Sequence, residues 1–157
     1  MTQFINILII ITGMLLSSCA PAKQDAETTA IINNFIRDAQ LYGKKVPIPY
    51  SAEDIPVYFK DTLGGNTVAL CHYVNDVGLY TDQYIEISRV YWSTYNYTEK
   101  EITINHELGH CWLQRPHTCN YDQTNHRFTP TMCPNLLPTD MYLSNRDFYL
   151  NELFTNY

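Results

Sequence analysis

The chain has 157 residues with a formal charge of −6; 17% of residues are charged and 45% apolar. That length supports one compact domain and not two, and the balance is that of ordinary globular material. No basic patch is present, which argues against a nucleic-acid partner. Tyrosine is abundant at 13 copies, a number explained equally by strand packing and by a binding groove.

Residues 1–18 read as a leader and not as part of the domain. Phe4 to Ile11 is almost wholly apolar, and Met14-Leu15-Leu16 extends the run up to Ser17-Ser18-Cys19. It is too short for a comfortable membrane span and fits the apolar core of an export signal. No Lys or Arg precedes it, so the amino terminus alone supplies positive charge. Leu16-Ser17-Ser18-Cys19 resembles a bacterial lipobox. The resemblance implies cleavage before Cys19, lipidation of its thiol and, with Ala20 following, an envelope lipoprotein on the outer membrane facing the periplasm. A plain secretory signal is the alternative. Residues 19–25, small and polar with Pro21, are expected to form a tether, and 26–157 a single domain.

From Glu27 to Tyr42 apolar residues recur at Ile31, Ile32, Phe35, Ile36 and Ala39, predicting an amphipathic helix ended by Gly43 and Val46-Pro47-Ile48-Pro49. Three β-rich runs follow, at 56–60, 67–74 and 84–91, separated by Gly- and Asn-containing turns. Together they predict a small sheet beside the helix that follows them. His72 in the middle run reads as a packed or exposed strand residue and not as a ligand.

The most informative stretch is Asn105-His106-Glu107-Leu108-Gly109-His110. On a helix, residues four apart share a face, so His106 and His110 can present two imidazoles to one ion. Glu107 projects about 100° further round, within reach of a water on that ion. This is the arrangement of zinc hydrolases, with metal as Lewis acid and the carboxylate as base. A helix is predicted here, with Thr98 and Glu101 as a capping box, Tyr97 and Ile102 as a hydrophobic staple, and Ile104, Leu108, Cys111 and Trp112 as the core-facing stripe. Were the helix to continue, His117 would lie about 10 Å beyond His110, too far for a shared ion. Pro116 disfavours helical geometry at Arg115, so the chain is expected to fold back and let His117 close a three-histidine site.

Four cysteines remain after Cys19, and in an oxidising compartment they suggest two disulfides with three possible pairings. Cys119 and Cys133 bracket a short polar loop and are the preferred pair, leaving Cys71 to Cys111. No Cys-x-x-Cys spacing supports a sulfur-based zinc site.

His106-Glu107-Leu108-Gly109-His110, a nearby downstream histidine and then Thr131-Met132-Cys133-Pro134 together resemble the metzincin metallopeptidases. The likeness runs from about Tyr84 to Pro134. It implies an α+β zincin-like domain in which a short mixed sheet packs on the active-site helix, flanked by N- and C-terminal helices. It further implies Zn2+ on His106, His110 and His117, a methionine turn at Met132 beneath the metal, and a peptide or protein substrate. The third histidine falls one residue later than in that family, and Leu113 stands where the family has its turning glycine. The chain also resembles small exported bacterial proteins, read as zinc peptidases, that carry His-Glu-Leu-Gly-His-Cys followed by Arg-x-His.

Glu152 is a competing third ligand, because Asn151-Glu152 resembles the glutamate step of thermolysin-like enzymes. It lies on an expected helix from Arg146 to Phe154, with Ser144 and Asp147 as a capping box. That family's downstream aspartate is missing from Thr155-Asn156. His126 and Asp122 read as solvated loop residues, and Tyr142 as a weak candidate for holding an oxyanion. The expected activity is peptide hydrolysis by a metal-activated water with Glu107 as general base. A strand edge within 84–91 is expected to bind extended peptide. The rival expectation is a zinc-holding envelope lipoprotein that serves as a binding or assembly factor without catalysis. Substrate sequence and oligomeric state are not legible.

Overall fold

The computed structural model describes residues 24–42, 51–73, 75–76, 79–80, 83–122, 127–129, 131–135 and 137–155. The leader, Cys19, most of the tether and His126 lie outside them. The architecture is α+β, with helices around a small mixed sheet.

Helix α1 (Ala26–Leu41) starts at Asp25, whose carboxylate accepts the Thr28 amide at 2.7 Å. An acceptor side chain at that position satisfies one of the amides that the first helical turn leaves without a partner. Its apolar stripe of Ile31, Ile32, Phe35, Ile36 and Ala39 is buried as the sequence pattern requires. The sheet consists of β1 (Val57–Lys60), β2 (Ala69–His72) and β5 (Tyr84–Ser88), in the order β1-β5-β2. Strand β5 pairs parallel to β1 and antiparallel to β2, with Ile85 opposite both Val57 and Cys71. Between β2 and β5 the chain makes a two-residue pair, β3 (Asn75–Asp76) with β4 (Leu79–Tyr80).

Two expectations about the third β-rich run are corrected here. The strand ends at Ser88, and Arg89–Trp92 forms a short helix, α2. The turn buries Trp92 against Phe59 and leaves Val90 exposed, which a continuous alternating strand could not do. Moreover, β5 is bonded on both sides and offers no edge. The edge strands are β1 and β2, and it is β2 that lies along the cleft described below.

Helix α3 (Tyr97–Cys111) carries the histidine motif. Its cap is Asn96, not Thr98. The Asn96 side chain accepts the Glu99 amide at 3.0 Å, and the Glu99 carboxylate accepts the Asn96 amide at 2.8 Å. Asparagine outranks threonine as a cap, and Glu99 completes the same reciprocal box two residues earlier. Tyr97 is exposed and takes a bond from Asn34 instead of stapling the helix. Glu101 is buried and pairs with Arg146 at 2.6 Å, while Asp38 of α1 holds the same guanidinium at 2.8 Å. This cation therefore ties α1, α3 and the C-terminal helix together.

A small antiparallel pair, β6 (Asn120–Asp122) with β7 (Arg127–Thr129), precedes helices α4 (Thr139–Ser144) and α5 (Arg146–Thr155). The expected helix from Arg146 is present. Helix α4 was not anticipated, and it takes up Ser144, whose hydroxyl donates to Asp140 O at 2.7 Å instead of capping α5. The main core joins α1, the sheet, α3 and α5, with Ile85, Ile87, Ile104, Leu108 and Phe154 fully buried. A second cluster, Ile102, Leu137, Tyr142 and Tyr149, fastens α4 and α5 to the other side of α3.

The four cysteines form two disulfides, Cys71–Cys111 and Cys119–Cys133, the preferred pairing. Such bonds persist in oxidising compartments. Among the described residues no helix is long and apolar enough to cross a membrane.

Candidate metal centre

Three imidazoles converge at the C-terminal half of α3. His106 Nε2 lies 3.1 Å from His110 Nε2 and 3.1 Å from His117 Nε2. All three candidate ligand atoms fall within 4.8 Å of one another.

The protonation pattern follows from what the far side of each ring touches. His106 Nδ1 lies 2.8 Å from Thr131 O, and His110 Nδ1 lies 2.6 Å from Arg115 O. A carbonyl only accepts, so each Nδ1 must carry the proton, which leaves each Nε2 as a bare lone pair. Lone pairs facing each other at 3.1 Å repel unless something positive lies between them. Zinc–nitrogen bonds of about 2.0–2.1 Å in tetrahedral geometry place neighbouring nitrogens about 3.3 Å apart. The spacing therefore suits a small divalent ion. Burial pushes the His106 pKa down to about 4, helped by the two neighbouring rings, and burial also lowers that of His110. Both are thereby held in the neutral form that binds metal.

The third histidine reaches the cluster through a reversal of the chain after α3. Leu113 N–H bonds Leu108 O at 3.3 Å, and Arg115 N–H reaches back to Gly109 O at 3.0 Å. Between them Gln114 adopts φ +54°, the left-handed conformation that glycine usually supplies. The break thus falls ahead of Pro116, at Gln114. Both the turning residue, Gln114, and the third histidine, His117, lie one position later than the metzincin spacing would put them.

Glu107 points from α3 toward β2. Its Oε2 accepts the Cys71 amide at 2.7 Å, leaving Oε1 without a partner among the described residues. Burial raises its pKa from 4.5 to about 7, and the Cys71 bond only partly offsets that. A carboxylate poised there is suited to shuttling a proton at neutral pH.

The histidines and Glu107 open into a cleft of about 850 Å³. The cleft is lined by the edge strand β2 and, among others, by Tyr95, Ile102, Pro134 and Leu137. In the antiparallel register with β5, Val68 and Ser88 form a bonded pair, so Leu70 and His72 also face β5, while the backbone groups of Ala69 and Cys71 point to the free edge.

No protein-family profile, characterised protein or solved structure matches the chain.

Met132 is fully buried beneath α3, against Gly109. A Cβ on that glycine would collide with the Met132 sulfur, so the motif's glycine is there for close packing. Thr118 N–H bonds Met132 O at 3.0 Å, and Cys119–Cys133 joins the same two segments. The methionine loop therefore supports His117 from below and supplies, through Thr131 O, the carbonyl that orients His106.

Other candidates lie elsewhere. Glu152 is not in the histidine cluster; it is buried in contact with the Arg115 guanidinium. A carboxylate already compensated by a buried cation is satisfied without a metal. Tyr142 is fully buried in the second cluster, where its hydroxyl takes a bond from Asn105 at 3.3 Å, and it does not line the cleft. Tyr95 does, which no sequence pattern distinguished among so many tyrosines. His72 stacks on Tyr84 at 4.5 Å and lies 3.0 Å from a Glu86 oxygen, a packed strand residue. The side chain of Asp122 falls outside the described part of the structure.

Proposed function

We propose that the chain is a metzincin-like zinc peptidase in which His106, His110 and His117 hold the ion and Glu107 is the general base. The observation that carries this reading is the convergence of three Nε2 atoms, two of them fixed as lone pairs by backbone carbonyls behind the rings. A zinc ion held there supplies Lewis acidity, which makes water a nucleophile near neutral pH and polarises a carbonyl. Glu107 Oε1 takes the proton of the attacking water and later delivers it to the leaving nitrogen, so that acid and amine leave as separate products. The amide of Cys71 fixes the other carboxylate oxygen and thereby the direction in which the free one points. Along the cleft, the open edge of β2 presents the backbone groups of Ala69 to an extended peptide, which would add as a further strand. The joint displacement of Gln114 and His117, with Met132 under Gly109, supports the metzincin likeness.

The two disulfides and the leader support export, and the lipobox supports anchoring to a membrane through lipid on Cys19. The test compares hydrolysis of a peptide library by the wild type and Glu107→Gln, with zinc content measured in both. Zinc in both proteins and hydrolysis by the wild type alone is the expected result. Zinc in both with hydrolysis in neither would assign the chain instead to a metal-holding envelope factor, and a wild type free of zinc would overturn the metal centre itself.

A further inference from the structure

Both carbonyls that orient the ligand histidines belong to residues held by one buried ion pair. Arg115 supplies the carbonyl behind His110, and its guanidinium contacts Glu152 Oε1 on α5. Glu152 Oε2 accepts the amide of Thr131 at 3.3 Å, and Thr131 supplies the carbonyl behind His106. Arg115 Nη1 also donates to Glu152 O at 3.1 Å and Leu153 O at 3.2 Å. These are among the last carbonyls of α5, which the helix itself cannot satisfy. Both side chains are over nine-tenths buried.

Resting on the metal reading above, we propose that Arg115 and Glu152 are positioning residues for the metal centre: one carboxylate and one guanidinium set the two backbone carbonyls that aim His106 and His110. A buried ion pair is a poor source of stability, because desolvation consumes most of the attraction. Here its hydrogen bonds go to the chain reversal and to the methionine loop, the two segments whose carbonyls meet the rings. The pair also explains how Gln114 is held at φ +54° without glycine: the next residue is anchored at its amide, its carbonyl and its side chain. Groups bonded directly to a ligand typically alter metal affinity about 10–100-fold when lost, and the pair acts one step further out, through the two carbonyls.

The experiment replaces the pair with apolar side chains of similar length, Arg115→Met with Glu152→Leu, in the otherwise intact protein. Neither buried charge is then left uncompensated, and both backbone carbonyls remain. Zinc affinity is measured by competition with a chromogenic chelator, the cobalt-substituted protein by its visible spectrum, and the ring tautomers of the metal-free protein by 15N NMR. The expected result is a folded variant with zinc affinity weaker by severalfold to about 10-fold, an altered cobalt spectrum, and His106 and His110 as mixtures of tautomers where the wild type has Nδ1–H alone. A folded variant with wild-type affinity and unmixed tautomers would overturn the proposal. Should the double variant fail to fold, Glu152→Gln decides: a severalfold loss of affinity supports it, and unchanged affinity refutes it. Tautomers are read without metal, so a wild type that takes up no zinc defeats the function proposed above while ring orientation still decides this inference.

Discussion

Glu107→Gln separates what a buried carboxylate does for folding from what it does for chemistry. In the metal-free protein, burial raises the Glu107 pKa from 4.5 to about 7. A carboxyl with a higher pKa in the folded state holds its proton better when folded. Its contribution is therefore fully present below about pH 4.5 and is lost as pH rises through about 7. The displacement corresponds to about 3 kcal/mol, at 1.36 kcal/mol for each tenfold change in proton affinity. Glutamine still accepts the Cys71 amide but carries no charge to desolvate. The stability difference between variant and wild type should move in the variant's favour by about 3 kcal/mol between pH 4 and pH 8. In a domain of this size that is about 10 °C in melting temperature. Urea unfolding of chelator-treated protein, with disulfides intact, measures it at both pH values. Titration of the histidines is common to the two proteins and cancels. Loss of the base should lower kcat by about 10²–10⁴-fold with zinc still bound. A stability difference that does not change with pH would refute the reasoning, because it would mean that the ionised carboxylate suffers no desolvation at this position.

Replacing His117 with Ala leaves two anchored nitrogens, and zinc affinity should fall by more than about 100-fold, read by chelator competition. Since burial holds His106 neutral down to about pH 4, 15N NMR of the metal-free protein should show that ring still unprotonated on acidification past the 6.5 of a free imidazole. Gln114→Gly removes a side chain from the left-handed region, and urea unfolding should show a gain of about 0.5–1 kcal/mol. Gly109→Ala drives a methyl group into Met132 and should destabilise by about 1–3 kcal/mol, with a strong coupling to Met132→Ala in a double-mutant cycle.

The parts of the site legible in the sequence are those set by local geometry. His106, Glu107 and His110 needed only a helical period, and the amphipathic α1 needed only its apolar spacing. Cys119 and Cys133 bracket one loop, which made their pairing readable. Contacts between distant segments were not readable. Arg115 and Glu152 are 37 residues apart, and the carboxylate that looked like a ligand by residue type is satisfied by a cation. The position of β5 at the centre of the sheet depends on a parallel partner, β1, that no hairpin signal announces. The turn at Gln114 escaped notice because glutamine rarely adopts positive φ, so Pro116 seemed the natural breaker. The cap at Asn96 was missed for a subtler reason: two overlapping boxes, Asn96 with Glu99 and Thr98 with Glu101, compete, and Glu101 is drawn off to Arg146.

Each sulfur bridge joins segments that meet at the imidazoles: one binds the end of α3 to the strand that grips the base, the other binds the His117 arm to the methionine loop. A newly made chain carries those sulfurs as thiols, which are themselves good zinc ligands. Oxidation thus withdraws the rival donors and braces the rings in a single event.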